Sequence, residues 1–293
     1  MTERRGLAAV AGTAGARNAL TVDLEEWFHV CGVESLASRH WDVLPSRIIP
    51  TTRDLLDLLD RRQIRATFFV VGWIAERHPH LIQEIVSAGH EIGSHGYWHR
   101  RVYELDREAF ADDVLASCKA VAASGVKTVT AFRAPEWSIN DRSLWALDEL
   151  VRLGFRVDAS MAPLKMVGSV TFPRQPHRRE SANGSILEVP PLVADRFGQV
   201  MPLGWGWGLR MSSPARVLRT IETLNNRGQA AVLTIHPWEL DPDPPRAKLP
   251  AGLRFAHYFR LGGFSERLST ILAGASFGPI SLLAPLNTVT TPG

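Results

Sequence analysis

Two histidines in the stretch GHEIGSHGYWHR (89–100) have the spacing of a metal-ligand pair. His95 and His99 stand four residues apart, so on a helical backbone both rings would lie on one face. Two imidazoles that share a face can bind one divalent metal ion. The alternative is a pair of polar residues on a surface loop, and the spacing alone leaves both open. His90 precedes a short strand and is predicted to be structural or exposed.

Two carboxylates in the stretch TVDLEEW (21–27) form a second candidate group. Asp23 lies at the end of an apolar run, where a carboxylate is costly unless it is paired or used. Alternation along a strand puts Asp23 and Glu25 on one face and directs Glu26 to the other. The alternative is a pair of solvated loop acids.

An arginine and a histidine each follow a further apolar run. Arg133, in FRAPEW (132–137), suits a carboxylate partner such as Asp23, although a surface arginine would give the same pattern. His236 follows AAVLTI and could act as an acid or a base near neutral pH, although a lone histidine there is often structural. Asp158, at the end of FRVD, could orient His236 and raise its pKa.

These residue types together predict metal-assisted hydrolysis of an amide or an ester. One acid and two histidines would hold a single metal ion and leave a coordination position for water, which is the catalytic arrangement of zinc. The second acid would then be free to act as a base, and the distant histidine could protonate a leaving group.

The elements that must position these side chains alternate between strand and helix about five or six times. Strands are predicted at 19–24, 65–72, 90–95, 129–135, 155–160 and 229–238, and helices at 51–63, 78–89, 106–125, 141–154 and 214–228. This order predicts an α/β fold with a parallel sheet, open or closed into a barrel. All the candidate groups follow predicted strands, and functional groups gather at that edge of such sheets.

The bulk composition argues against several classes of protein. The chain has 293 residues, 45% of them hydrophobic, a net charge of +3 and two cysteines, Cys31 and Cys118. Its basic residues are scattered, so no nucleic-acid partner is predicted, and two distant cysteines do not make a disulfide framework. Neither a secretion signal nor a transmembrane segment is predicted, which favours a cytoplasmic location.

Five motifs, in order, resemble those of the polysaccharide deacetylases with a NodB homology domain, carbohydrate esterase family 4. The motifs are TVDLEEW, SHGYWH, FRAPEW, VDAS and LTIHPW, and the match runs from about 21 to 239. The segments HPWELDPDPPR and FAHYFRLGGFSERL resemble the C-terminal extension of a subgroup associated with bacterial exopolysaccharide loci.

The resemblance implies a fold, a metal and roles for individual residues. The fold is a distorted (β/α) barrel of about seven parallel strands, and the metal is divalent, most often Zn²⁺, with Co²⁺, Mn²⁺ or Ni²⁺ as alternatives. Asp23 corresponds to the catalytic base, and His95 and His99 correspond to metal ligands. Arg133 corresponds to the arginine that tethers the base. Two further catalytic residues are implied, namely Asp158 and the acid His236.

The first motif departs from the family pattern of two adjacent aspartates. Leu24 stands where most members have the ligand aspartate, and some relatives use an acid one residue later. That acid would be Glu25, which the alternation of the strand favours over Glu26. The same branch also resembles a metal-independent allantoinase, so the alternative function is an amidohydrolase for a small ureide. A non-catalytic carbohydrate-binding member is a third possibility.

The function that this resemblance implies is removal of N-acetyl groups from amino sugars of a bacterial exopolysaccharide or its precursor. The predicted domains are a disordered leader (1–18), the barrel (19–240) and a C-terminal extension packed on it (241–293). Five tryptophans are candidate sugar platforms. They are Trp27, Trp137, Trp205, Trp207 and Trp238. Trp205 and Trp207 lie between glycines that would expose their rings.

Overall fold

A curled sheet of mostly parallel strands organises the fold. The computed structural model describes residues 18–196 and 198–287. Its strands are β1 (Asn18–Leu24), β2 (Thr67–Val70), β3 (Glu91–Ser94), β4 (Ala131–Phe132), β5 (Val157–Asp158), β6 (His177–Ser181), β7 (Gly184–Glu188), β8 (Val193–Arg196), β9 (Gln199–Pro202), β10 (Val232–Ile235) and β11 (Phe277–Gly278).

The strand order confirms the predicted α/β fold with about seven parallel strands. The sheet runs β10-β1-β2-β3-β4-β5-β7-β6, and β11 pairs with β1. Every neighbouring pair from β10 to β7 is parallel, and β6 closes a hairpin with β7. The outer edge of β10 exchanges backbone hydrogen bonds with the segment around β8 and β9. Leu192 N donates to Val232 O (3.0 Å), and Thr234 N of β10 donates to Gly204 O (2.8 Å).

Helices cover the outside of the sheet. They are α1 (Ile48–Arg61), α2 (Gly72–Arg77), α3 (Pro79–Ser87), α4 (Arg107–Ala123), α5 (Trp145–Arg152), α6 (Gly206–Met211), α7 (Pro214–Asn225), α8 (Ala251–Tyr258) and α9 (Phe264–Gly274). Short 3₁₀ turns lie at Glu34–Leu36, Ser38–Val43, Val102–Glu104, Pro135–Trp137, Pro237–Leu240 and Ile280–Asn287. In the described parts of the chain, none of the helices is long and apolar enough to span a bilayer.

Local sequence explains why these elements begin, end and pack where they do. Asp106 caps α4 by accepting a hydrogen bond from Ala109 N (2.8 Å), as an N-cap aspartate should. Gly89, with φ of +83°, ends α3. The apolar face of α1 buries Leu55 and Leu59 completely, and each such side chain contributes about 1.5–3 kcal/mol through its removal from water.

The chain after β10 returns to the start of the barrel. β11 pairs with β1 at Asn18 and Ala19, and the Asn18 side chain donates to Ser276 O (3.0 Å). Asn18, which the predicted leader included, is the first residue of β1, and the rest of that leader lies outside the described residues. The predicted barrel boundary at 240 stays a prediction.

Candidate active site

The carboxyl ends of four neighbouring strands bring the predicted polar residues to one edge of the sheet. Asp23 lies near the end of β1, His95 directly follows β3, Arg133 directly follows β4, and His236 directly follows β10. These four strands lie within the run β10-β1-β2-β3-β4 of the sheet. The side chains therefore converge although the sequence separates them widely.

Glu25, His95 and His99 form a buried cluster with the geometry of a metal site. One ligand atom from each lies within 4.8 Å of the other two. Glu25 Oε2 is 2.7 Å from His99 Nε2 and 3.8 Å from His95 Nε2. Burial alone would raise the pKa of Glu25, but the charges of the surrounding histidines lower it well below its usual range.

Glu26 points away from this cluster, as strand alternation predicts. Its carboxylate accepts hydrogen bonds from Ser46 Oγ, from Arg47 N (3.0 Å) and from Ile48 N (3.1 Å). These donors belong to the first turn of α1 and the residues before it, where backbone N–H groups have no partner within the helix. Glu26 therefore caps α1, and Glu25 is the acid that faces the histidines.

A loop, rather than a helical turn, brings the two histidines together. His99 has φ of +50° and Gly96 has φ of +71°, so the helical geometry considered for this pair is wrong. Asp113 on α4 holds the loop by accepting hydrogen bonds from Tyr97 N (2.7 Å) and Trp98 N (3.3 Å). The two imidazole centroids lie 5.1 Å apart.

The Nδ1 atom of each histidine contacts a neighbouring group, and the Nε2 atom of each faces Glu25. His95 Nδ1 is 2.7 Å from Arg133 O, and His99 Nδ1 is 3.6 Å from Cys31 Sγ. Among the described residues, no group makes a well-directed hydrogen bond to His99 Nε2, although this atom is buried. A partner on Nδ1 fixes the tautomer that offers Nε2 to a metal ion.

Arg133 is completely buried and binds Asp23. Its Nη1 donates to Asp23 Oδ1 (2.7 Å) and Thr21 Oγ1 (2.9 Å), and its Nε donates to Ala159 O (3.0 Å). The guanidinium lies between the rings of Phe69 (4.4 Å) and Trp137 (4.5 Å). The alternative of an exposed surface arginine is therefore wrong.

His236 faces both acids with one nitrogen and binds Glu239 with the other. Its Nε2 is 3.7 Å from Asp23 Oδ2 and 3.6 Å from Glu25 Oε1. Its Nδ1 is 2.9 Å from Glu239 Oε2. Burial alone would lower the pKa of His236, but the three carboxylates, with Glu239 the largest contributor, raise it to about 9.

Asp158 does not orient His236, so that prediction is wrong. Asp158 accepts a hydrogen bond from Ser160 Oγ (2.6 Å) and interacts with Glu188, and both acids are fully buried. Burial raises the pKa of Glu188, and the charge of Asp158 raises it further. Glu239 has the orienting position because it lies three residues after His236, where its side chain reaches back to the histidine.

A cavity of about 120 Å³ joins these groups. Its walls come from the strand ends and, on one side, from α8. It is lined by Asp23, Glu25, His29, Val30, His95, His99, Glu136, Trp137, His236, Leu253 and His257.

The tryptophans predicted as sugar platforms occupy different environments. Trp27 is buried, with Nε1 donating to Pro45 O (2.9 Å), so it is not an exposed platform. Trp205 is buried against Trp137 (ring centroids 5.2 Å), and Trp207 is half-buried in α6. The predicted exposure is therefore wrong for Trp205, whereas Trp207 is partly exposed. Trp137 lines the cavity, and Trp238 donates its Nε1 hydrogen to Glu25 Oε1 (3.2 Å).

Family models match both halves of the chain. Residues 39–157 match the family described as polysaccharide deacetylase. This segment of the chain belongs to the polysaccharide deacetylase family. Residues 159–284 match a second family, a domain of unknown function designated DUF3473, which fits the predicted extension subgroup. The first match contains His95, His99 and Arg133, and the second contains His236 and Glu239, so the candidate site includes residues from both matched segments.

Curated relatives agree with the first match, and a solved structure shares the fold. A peptidoglycan-N-acetylglucosamine deacetylase of Bacillus cereus is 36% identical over 31% of this chain and 42% of its own length. A chitooligosaccharide deacetylase of Bradyrhizobium is 34% identical over 24% of this chain and 32% of its own length. The chain thus spans less than half the length of these relatives. A crystal structure described as a polysaccharide deacetylase from Mycobacterium smegmatis shares the fold (TM-score 0.62, 21% identity, 99% of this chain and 100% of that chain).

Four residues around the site of this deacetylase-family chain were not predicted from its sequence. They are His29, Arg210, Glu239 and His257. Glu239 had a signal, because an acid three residues after His236 completes a capping box at Pro237–Leu240. Arg210 and His257 are distant in sequence from the motifs beside which they pack. His29 follows the first motif closely but stacks on His99 of the second (ring centroids 5.6 Å), and no local pattern signals such contacts.

Proposed function

We propose that this chain is a metal-dependent hydrolase that removes N-acetyl groups from amino sugars of a bacterial exopolysaccharide or its precursor. The observation that carries the proposal is the arrangement of Asp23 and His236 around the Glu25–His95–His99 cluster. His236 Nε2 lies within 3.7 Å of a carboxylate oxygen of each acid. A base, a proton donor and a set of three metal ligands therefore face one cavity, as amide hydrolysis requires.

The donor set of the cluster fits a divalent cation. A carboxylate and two imidazoles are ligands that zinc accepts, and three protein ligands leave a position for water or substrate. When bound, the cation would polarise the acetyl carbonyl group and acidify a water molecule. We propose Zn²⁺ for this site, with Co²⁺, Mn²⁺ and Ni²⁺ as alternatives for the same ligand types.

Asp23 has the position of the general base. Its Oδ1 is fixed by Arg133 (2.7 Å), whereas Oδ2 faces His236 across the cavity. The guanidinium stabilises the ionised carboxylate in one orientation, which allows Oδ2 to take a proton from an attacking water. The rings on either side of Arg133 keep the guanidinium itself in place.

His236 has the position of the general acid. Because its pKa is raised to about 9, the imidazole carries a proton at neutral pH and can donate it to the departing amine. The Nδ1 contact with Glu239 directs Nε2 towards the cavity, where that proton is needed. An unprotonated amine is a poor leaving group. Amide hydrolysis therefore needs this proton donor, whereas hydrolysis of an activated ester does not.

The substrate class rests on the relatives and on the second domain. One curated relative is named as a peptidoglycan-N-acetylglucosamine deacetylase and the other as a chitooligosaccharide deacetylase. The match of residues 159–284 to DUF3473 supports the exopolysaccharide-associated subgroup. Neither relative is an allantoinase, so the ureide alternative has no support. The cytoplasmic location, and the absence of a nucleic-acid partner, stay predictions.

Acetate release from purified protein tests this function. The substrates would be N-acetylglucosamine oligomers, peptidoglycan fragments and an N-acetylated exopolysaccharide, with allantoin as the ureide. The same exopolysaccharide after chemical deacetylation would serve as the blank. We expect acetate from the oligomers and a fall in kcat of about 10²–10⁴ in Asp23→Asn and in His236→Ala. The control is His80→Phe on the exposed side of α3, which should retain activity. Near-normal turnover in Asp23→Asn, or hydrolysis of allantoin alone, would contradict the proposal.

A further inference from the structure

Helix α8, which follows β10 in the chain, forms one wall of the candidate active site. Leu253 and His257 on this helix line the same cavity as Asp23 and Glu25. α8 lies within the DUF3473 match at 159–284, outside the polysaccharide deacetylase match. The segment matched by DUF3473 therefore supplies α8 side chains to a cavity whose metal-site residues, Glu25, His95 and His99, lie earlier in the chain.

Arg210 anchors the carboxyl end of α8 beside His236. Its buried guanidinium donates to three backbone carbonyls at this end, those of Ala256, His257 (3.2 Å) and Phe259 (2.6 Å). These carbonyls lie at or just after the last turn of the helix, where intrahelical donors are lacking. Arg210 Nε also lies 2.8 Å from Glu239 Oε1. One side chain thus fixes both α8 and the carboxylate that holds His236.

The imidazole of His257 packs through its ring faces, and the backbone of Trp27 also interacts with the ring as a hydrogen-bond acceptor. It stacks on Trp238 (centroids 4.2 Å, 24° between planes) and meets Tyr258 edge-on (4.6 Å). Trp238 in turn binds Glu25 through Nε1. The ring therefore has a defined position relative to the metal-ligand cluster.

The Nε2 atom of His257 is buried, and no described residue provides it with a hydrogen-bond partner. Only 8% of the residue is exposed. Burial, the largest effect, lowers the pKa of His257 to about 4, so the ring is neutral at pH 7. A buried polar atom without a partner is unfavourable, and such atoms in native proteins call for an explanation. His257 is not part of the Glu25–His95–His99 cluster, so a role as a fourth metal ligand is not indicated.

We propose that His257 is a substrate-binding residue whose Nε2 forms a hydrogen bond with a hydroxyl group of the acetylated amino sugar. This inference rests on the proposed function, because the sugar must enter the same cavity to be deacetylated. A neutral imidazole suits an uncharged hydroxyl partner, which can donate or accept. The second domain would then contribute to the choice of substrate as well as to the wall of the site.

Replacement of the ring nitrogen, with the ring retained, tests this role. His257→Phe keeps an aromatic ring on Trp238 but removes Nε2, whereas His257→Gln offers an amide in nearly the same place. With a hexamer of N-acetylglucosamine as substrate, we expect kcat/KM to fall about tenfold in His257→Phe, mainly through KM, as for the loss of one neutral hydrogen bond. His257→Gln should recover part of that loss.

Three controls separate substrate binding from structural damage. Metal content and Tm should match the wild type in both His257 variants, and His80→Phe should leave KM unchanged. A wild-type KM in His257→Phe would overturn the inference while the deacetylase proposal stood. A loss that accompanies lower Tm or metal content, without recovery in His257→Gln, would assign a structural role instead. A wild-type protein that releases no acetate from the hexamer would overturn the proposed function and this inference with it.

Discussion

Arg210 Nε lies 2.8 Å from Glu239 Oε1, and both side chains are almost completely buried. Glu239 uses its other oxygen to bind His236 Nδ1 (2.9 Å). Burial alone would raise the pKa of Glu239, but His236 and Arg210 lower it below its usual value. The carboxylate is thus kept ionised between the arginine and the proposed acid, and a mutation of Glu239 should act on catalysis through His236.

Replacement of Glu239 by glutamine should lower kcat more than it changes KM. Glu239 is not among the residues that line the cavity, so substrate contacts remain, whereas the orientation of His236 is weakened. We expect kcat to fall about 10–100-fold, the usual effect of removing the carboxylate that orients a functional histidine. Steady-state kinetics on an N-acetylglucosamine oligomer would measure both constants.

The matched control is Glu239→Asp, which keeps the charge but shortens the side chain. Because the carboxylate must reach both Arg210 and His236, we expect only partial activity in this variant. Equal kcat in wild type and Glu239→Gln would show that His236 does not depend on this carboxylate.

The adjacent acids Glu25 and Glu26 should give opposite results when each is changed to glutamine. Glu25→Gln removes a charged ligand from the cluster and should reduce bound metal from about one ion per chain to a small fraction, with little effect on Tm. Glu26→Gln removes the carboxylate that caps α1 and should cost about 1–2 kcal/mol of stability, with metal content retained. Metal analysis and thermal unfolding of the two variants measure both effects. Metal loss in Glu26→Gln alone would reverse the assignment.

The positions of the site residues could be predicted where a short-range rule applies. Alternation along β1 is enough to turn Asp23 and Glu25 to one side and Glu26 to the other. The parallel order of strands is enough to bring Arg133 and His236 to the same edge. The alternation of strands and helices likewise gave the α/β class and the parallel sheet, and the family resemblance supplied the barrel.

Contacts set by distant packing could not be predicted. His257 reaches the site because α8 folds back over the barrel, and Arg210 reaches Glu239 from α6. The same applies to the burial of Trp205, since glycine neighbours indicate backbone freedom but not which element covers the ring. Asp158 was predicted to orient His236 because both end strands, yet β5 and β10 are separated in the sheet order.

The segment that contains β6 to β9 was also missed. Its strands are short, and β6 (His177–Ser181) consists largely of charged and polar residues whose exposure alternates between partial and full. With little buried surface, periodicity of apolar residues is absent, and that periodicity is the main signal for a strand.

His90 should make the protein less stable as the pH falls below neutral. Its Nδ1 accepts a hydrogen bond from Ala66 N (3.1 Å), which requires the unprotonated nitrogen. Burial and then the charge of Arg65 lower its pKa to about 4, against 6.5 in the unfolded chain. Above pH 6.5 both states are neutral. Between 6.5 and 4 only the unfolded state gains a proton, so stability is lost over this range.

The variant His90→Asn isolates this effect because its Oδ1 can accept the same hydrogen bond without titrating. Between pH 7 and pH 5, the wild type should lose about 1 kcal/mol more stability than the variant, or about 2–4 °C in Tm. Denaturant unfolding at both pH values would measure the difference. Parallel losses in the two proteins would exclude His90 as the cause.

Gly96→Ala should damage the metal site more than an equally strained glycine substitution elsewhere. Gly96 has φ of +71°, and a Cβ atom there would lie 2.7 Å from Asp113 Oδ2, the carboxylate that holds the histidine loop. Gly125 has φ of +92° with open space around it. Gly125→Ala should therefore lower stability only through the strain of a left-handed backbone at alanine, roughly 1–2 kcal/mol. Gly96→Ala should add loop displacement and weaken metal binding at least tenfold, as competition with a chelator would show. Equal metal affinity in the two variants would mean that the loop tolerates the shift of Asp113.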